Sequence, residues 1–173
     1  RPMKKTIITT LVTATTIMTP AFAQQRVAAF DDWAVYTAES PKECWLVSNV
    51  EKVENTRGGK PAPNVKRGDI LMYVTYLPSQ KIIGEVSFGG GYPFNPGQVV
   101  KLQIGSATYD MVPEGEFAWP ASSAIDTQIR VSMTKGSDAI VRAQSARGTQ
   151  TKDTFSLKGF TAALKDAKTR CGI

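Results

Sequence analysis

Residues 100–111 read VKLQIGSATYDM, and they decide the class of fold. Val100, Leu102 and Ile104 point one way while Lys101 and Gln103 point the other, the period of two that a half-buried strand requires. Gly105-Ser106 supplies a two-residue turn with glycine first, as a type II′ hairpin prefers. Ala107, Tyr109 and Met111 then resume the apolar face, which predicts an antiparallel hairpin. Toward the C-terminus, Pro113-Glu114-Gly115-Glu116 is a further turn that Phe117-Ala118-Trp119-Pro120 ends. Residues 121–135 carry two periods at once. Ile125, Ile129 and Met133 repeat every four, while Ile129, Val131 and Met133 alternate. The helical reading is favoured because Gly136 follows, and glycine is the usual residue just past a helix end. Ala139, Val141 and Ala143 line one face of a strand, Arg147-Gly148 turns the chain, and residues 149–155 form a Thr-rich strand. In the closing run, FSLKGFTAALKDAKTRC (155–171), Phe160, Ala163, Leu164 and Ala167 form one helical stripe. Ser156 is its expected N-cap, and Lys165, Lys168 and Arg170 complement the dipole at the other end.

Toward the N-terminus the same punctuation continues. GGGYPFNPG (89–97) is incompatible with regular structure. Residues 81–88 read as a strand, reached through a turn at Pro78-Ser79-Gln80. DILMYVTYL (69–77) is apolar at every second position and between, so it is expected to be a central strand buried on both sides. Residues 55–68 are the longest polar stretch, with Gly58, Gly59, Pro61, Pro63 and Gly68, and read as an exposed loop. CWLVSNVEKV (44–53) reads as one strand, and Trp33-Ala34-Val35-Tyr36 as another after a short lead-in. Many short strands, one inserted helix and one C-terminal helix predict a mainly β chain, an antiparallel sandwich rather than a βαβ fold. No internal repeat or second domain boundary interrupts residues 24–173.

The first residues read differently. Met3 is the expected start, Lys4 and Lys5 form a basic n-region, and residues 6–18 are a short uncharged apolar run. Ala21-Phe22-Ala23 fits a small-x-small cleavage site, so residues 1–23 are expected to be a signal peptide cut before Gln24. The alternative is an uncleaved anchor, but the run is shorter than the roughly 20 apolar residues a spanning helix needs. No later segment reads as transmembrane, so none is expected after cleavage. Of the formal charge of +6, Arg1, Lys4 and Lys5 leave with the signal and no acid does, so +3 remains. That charge is spread along the chain, and nucleic-acid binding would need it clustered. Export also bears on the two cysteines, which then reach a compartment where disulfides persist. A Cys44–Cys171 bridge is expected. Two separately buried thiols are the alternative.

The absence of histidine removes Ser–His–Asp and Cys–His catalysis and leaves no ligand set for a metal. Ser132-Met133-Thr134-Lys135 spells S-x-x-K, but at the end of the expected helix and without partner motifs. Gly89-Gly90-Gly91 lacks the lysine and helix of a phosphate cradle. Asp31/Asp32 and Glu114/Glu116 sit in turns, where acids are ordinarily solvated. The tryptophans suit a core. Tyr92 and Phe94 stand apart, because a Gly/Pro-rich loop does not ensure their packing. They are candidate partner-contact residues, though the same rings could fold back onto the sandwich.

Three blocks together resemble one family. They are the signal followed by Asp32-Trp33-Ala34-Val35, then IGSATYDMVPEGEFAW (104–119), then SARGTQTKDTFSLKGFTAAL (145–164). In this order they are similar to the invasion-associated locus B family of exported alphaproteobacterial proteins. The resemblance implies an immunoglobulin-like β-sandwich with added helices, a periplasmic or surface location, and a role in host-cell interaction. Some members carry a further cysteine where Tyr36 and Thr37 stand here, so the family's disulfide pattern is not carried over. The expectation is a non-enzymatic exported sandwich, without cofactor, periplasmic, secreted or at the cell surface. It would bind a protein or envelope partner through the Tyr92–Phe94 loop and the loop of residues 55–68. The alternatives are a periplasmic carrier or chaperone for a small apolar ligand, and an enzyme using Ser132 and Lys135.

Overall fold

Alternation carries the chain into strands almost from the first residue described. The computed structural model describes residues 24–173; the expected signal peptide lies outside them. β1 (Gln25–Phe30), β2 (Trp33–Ala38) and β3 (Glu43–Asn49) form a meander. β4 (Lys52–Arg57) and β5 (Lys60–Pro61) make a short hairpin. β6 (Leu71–Leu77) and β7 (Ile82–Gly89) flank a 3-10 turn at Pro78–Gln80. β8 (Val100–Ile104), β9 (Ala107–Glu114) and β10 (Phe117–Pro120) follow as a second meander. Helix α1 (Ser123–Lys135) leads to the hairpin of β11 (Asp138–Gln144) and β12 (Gln150–Ser156), and helix α2 (Phe160–Arg170) closes the chain.

All neighbours are antiparallel, in one 12-stranded sheet ordered β1-β2-β3-β6-β7-β10-β9-β8-β11-β12-β4-β5. The sheet doubles back on itself, so the fold is sandwich-like. β3 passes directly into β4, although the two stand in opposite halves of the order. The join is held by Val50 N–H donating to Ile70 O (3.2 Å) and Glu51 N–H donating to Thr154 O (2.8 Å). One core lies between the halves, with Leu46, Val74 and Phe88 from one and Leu102, Val141 and Phe155 from the other. Phe88 and Phe155 meet edge to face across it, centroids 6.0 Å apart.

The predicted hairpin stands in the expected register, Ile104 opposite Ala107 and Val100 opposite Met111. The helix assigned to residues 121–135 is also present, capped by Ser122 Oγ accepting from Ile125 N–H (3.4 Å), with Ile129 and Met133 buried. Its glycine acts for another reason than expected. Gly136 has φ −85°, not the left-handed conformation, and a Cβ there would stand 2.7 Å from Ile104 Cγ2. Close packing requires the glycine.

Three expectations are corrected. α2 begins at Phe160, not after a Ser156 cap, because Ser156 is held in β12 opposite Asp138 and its carbonyl accepts from Trp33 Nε1 (3.0 Å). The capping position is Gly159, with φ 86°, lying so near Phe30 that a Cβ would meet its carbonyl oxygen at 1.9 Å. Residues 44–53 are two strands, since the chain leaves one half of the sheet for the other at Val50-Glu51. β6 is buried on one side only: Met72, Val74 and Tyr76 face the core, while Leu71, Tyr73 and Thr75 are half-buried on the outer face. The lead-in at residues 25–30, residues 55–57 and 60–61 of the expected 55–68 loop, and the Phe117–Pro120 segment are strands that the sequence reading passed over.

The disulfide joins Cys44 on β3 to Cys171 just beyond α2, with Cα atoms 5.9 Å apart and the two cysteines 127 positions apart in sequence. It holds α2 against β2 and β3, where Trp33 and Phe160 also meet edge to face at 5.0 Å. Among the described residues no helix is long and apolar enough to cross a membrane.

Candidate functional site

The two loops singled out in the sequence come together, and a buried ion pair holds them. Arg67, expected in an exposed loop, has a side chain only 4% exposed, and Asp153 on β12 is fully buried. Arg67 Nη1 donates to Asp153 Oδ1 (2.7 Å) and Nη2 to Oδ2 (2.6 Å). Its remaining N–H groups reach Gly90 O at 2.9 and 2.8 Å and Asn55 Oδ1 at 3.3 Å. All five guanidinium donors are thus used, the condition under which a buried arginine is tolerated. Burial pushes the Asp153 carboxyl above its ordinary range, and the hydrogen bonds and charge of Arg67 pull it back.

Gly89-Gly90-Gly91 serves this pair. Gly90 offers its carbonyl to the guanidinium. Gly91, with φ 69°, lies against Gly68, whose oxygen would be 2.5 Å from any Cβ, and Gly68 N–H donates to Gly91 O (2.8 Å). The glycines let two backbones touch, which side chains would prevent.

Tyr92 and Phe94 are not exposed anchors. They are 9% and 5% exposed and belong to the core. Phe94 packs on Phe88 (5.8 Å) and edge-on to Tyr92 (5.1 Å). The Arg67 guanidinium lies 4.7 Å from the Tyr92 ring centroid, and Tyr92 Oη hydrogen-bonds Thr151 Oγ1 (2.6 Å). Burial raises the Tyr92 hydroxyl above its usual range. The loop turns inward because its backbone is stitched to its neighbours: Phe94 N–H to Gly115 O (2.9 Å), Asn95 N–H to Gln144 O (2.9 Å) and Ala146 N–H to Pro93 O (2.9 Å).

What the loops do present is a cleft of about 720 Å³. Pro61, Ala62, Pro63 and Val65 line one wall, Tyr92 and Pro93 come from the glycine-rich loop, and Ser145, Ala146, Arg147 and Thr149 line the other wall. Arg57, Lys66 and Arg147 are exposed along it, opposed by Glu116. Arg57 is fixed to the far wall by a hydrogen bond to Thr149 Oγ1 (2.7 Å). An apolar trough edged by three cations and one acid can hold an extended anionic segment by charge and contact.

The remaining candidates are scattered. Ser132 Oγ hydrogen-bonds Tyr109 Oη (2.6 Å), and Lys135 is exposed one helical turn on. Asp31 pairs with Lys158 at the surface (3.5 Å), and Glu114 and Glu116 are exposed in the β9–β10 turn region. No cluster of three or more potential metal ligands occurs among the described residues. Sequence reading missed Arg67 and Asp153. The available signal was register: in β12, Asp153 falls between inward-facing Thr151 and Phe155, and a carboxylate on the core side demands a buried cation.

Comparison with known proteins adds one finding. No curated protein and no solved structure matches the chain. The family model of the invasion associated locus B (IalB) protein matches residues 33–168, and the chain belongs to that family.

Proposed function

We propose that the protein is a non-enzymatic binding module of the cell envelope, periplasmic or surface-exposed, which engages an envelope or protein partner through the cleft beside Tyr92. Family membership suggests an envelope- or invasion-associated protein, and the intramolecular disulfide fits an extracytoplasmic one. The observation that carries the reading is the Arg67–Asp153 pair, which makes rigid walls of two loops that would otherwise be free. Pre-formed walls lower the ordering cost of association. The rim of Arg57, Lys66 and Arg147 against Glu116 favours a partner that is anionic where it enters.

The apolar lining supports a second reading, a carrier for a small apolar ligand. One experiment separates them. The exported protein and its Lys66→Glu/Arg147→Glu variant are isolated from the producing envelope at low and at high salt. A partner whose recovery falls with salt and with charge reversal supports the binding module. A co-purifying lipid indifferent to both would favour the carrier.

A further inference from the structure

A second surface, independent of the cleft, lies on the outer face of strands β2, β3, β6, β7 and β10. Tyr36 stands opposite Trp45, and their rings stack with centroids 5.5 Å apart and planes 10° from parallel. Tyr73 follows on β6, 6.5 Å from Phe117, which in turn stacks on Trp119 at 5.8 Å. β7 crosses between Tyr73 and Phe117 with Ser87 and Gly89 only. A Cβ on Gly89 would lie 3.1 Å from Phe117 Cε1, so the missing side chain is what lets that ring lie across the strand. The row is open at its β10 end: Phe117 is 39% exposed and Val112, opposite Trp119, 54%, whereas Trp45 is only 9% exposed. From Tyr73 on β6 to Phe117 and Trp119 on β10 is two strand steps of about 4.8 Å, the length of about two sugar rings.

A shallow groove of about 400 Å³ runs along it, lined by Trp45, Tyr73, Phe117 and Trp119, with Glu85 among them and Glu43 at the margin beyond Trp45. Among the described residues lining it there is no lysine or arginine. The Glu85 carboxylate within an aromatic patch argues against a protein partner, because acids are depleted from the centres of protein interfaces. It argues against a second copy of this chain as well, since a two-fold contact would set acid against acid. Both features suit a carbohydrate. The apolar C–H faces of pyranoses stack on aromatic rings, and carboxylates accept from sugar hydroxyls. Rings tilted 43° and 30° to one another across two strands fit a twisted, extended β-linked chain, and an acidic groove disfavours uronate or sulfated glycans.

We propose that this row is a platform for a neutral β-linked polysaccharide, with the rings of Tyr73, Phe117 and Trp119 stacking on the sugars and Glu85 accepting hydroxyl hydrogen bonds. The test titrates chitohexaose, cellohexaose and polygalacturonate into the disulfide-bonded protein, read by calorimetry and tryptophan fluorescence. Trp33 and Trp45 are both buried, so the fluorescence change reports chiefly Trp119. Saturable binding of a neutral hexasaccharide, weakened about tenfold or more in Phe117→Ala and absent for polygalacturonate, is the expected result. No saturable binding of either neutral probe up to millimolar concentration overturns the proposal, as does equal affinity in Phe117→Ala. A dimer that Phe117→Ala dissolves, without sugar binding, also overturns it and makes the face a contact between copies. If Phe117→Ala fails to fold, the wild type still decides. Protection of Trp119 from N-bromosuccinimide by the bound hexasaccharide supports the platform, and undiminished oxidation refutes it.

Discussion

Replacing Arg67 by methionine removes a charge but keeps most of the stem. Asp153 would then be a fully buried carboxylate with no cation, and Gly90 O would lose both guanidinium donors. Breaking a buried pair from one side costs about 3–5 kcal/mol, because the partner stays desolvated and uncompensated. In a domain of this size each kcal/mol corresponds to about 2–4 °C, so the melting temperature should fall by about 6–20 °C. Asp153→Val should cost a similar amount by stranding the guanidinium. The double variant removes both charges and should cost no more than either single one, since an apolar replacement of a whole pair is often nearly neutral. The assay is urea unfolding of the oxidised domain, followed by tryptophan fluorescence, with the four proteins compared as a double-mutant cycle. Hydrogen exchange at residues 62–68 should rise in either single variant, because the cleft wall loses its tether. Single costs below about 1 kcal/mol, the size of an exposed ion pair, would refute the reasoning, as would strict additivity.

The other predictions concern the staple, the tightest glycine and pH. Joint replacement of Cys44 and Cys171 by alanine should cost about 4–5 kcal/mol in the chain-entropy account of a loop this long, and non-reducing peptide maps should show the two linked. Two freely alkylated thiols would contradict this. Gly159→Ala should cost more than about 2 kcal/mol, since its Cβ would overlap the Phe30 carbonyl at positive φ. Gly58→Ala, with positive φ but open space, should cost only about 1–2 kcal/mol of backbone strain, and equal melting temperatures for the two would count against the packing argument. Asp126 accepts from Val86 N–H at 2.7 Å, and burial raises its carboxyl above the ordinary value, with that hydrogen bond and Arg130 opposing. Folding therefore favours its protonated form, so its contribution falls as pH rises from the ordinary aspartate value through the raised one. Burial and Asp126 raise Glu85 in the same direction. Thermal melts of Asp126→Asn and wild type should diverge over that window, with the wild type losing ground as pH rises; parallel curves would exclude the linkage.

Local patterning made the sheet legible and long-range pairing did not. The hairpin of residues 100–111 carried period-two apolar positions and a glycine turn, both properties of adjacent residues. The helix at residues 123–135 was also readable, although Gly136 follows it for a reason set by Ile104, which only the fold brings near. Ser156 had the chemistry of a cap, but pairing with Asp138 kept it in a strand. The strand at residues 25–30 escaped notice because Arg26 and Ala28 bracket a register shift that breaks its alternation. At the cleft, composition marked residues 62–68 and 90–97 as irregular, but it read residues 55–57 and 60–61 as loop where they are strand, and said nothing of which way the loops fold. Tyr92 and Phe94 turn inward because their loop's backbone is bonded to Gly115, Gln144 and Ala146, and Arg67, 86 residues from its partner Asp153, ties the other loop against it. No local signal encodes that distance, although the inward register of Asp153 implies a cation somewhere.

The most direct test of the cleft is site-specific photocrosslinking in cells that produce the chain. A photoreactive residue is placed at Pro63 or Lys66 on one wall, and at Ile83 as an exposed control outside the cleft. The account predicts one common adduct from positions 63 and 66, none from 83, and loss of that adduct when Arg147→Glu reverses the charge of the opposite wall. The same adduct from Ile83, or adducts from 63 and 66 that survive Arg147→Glu, would contradict it.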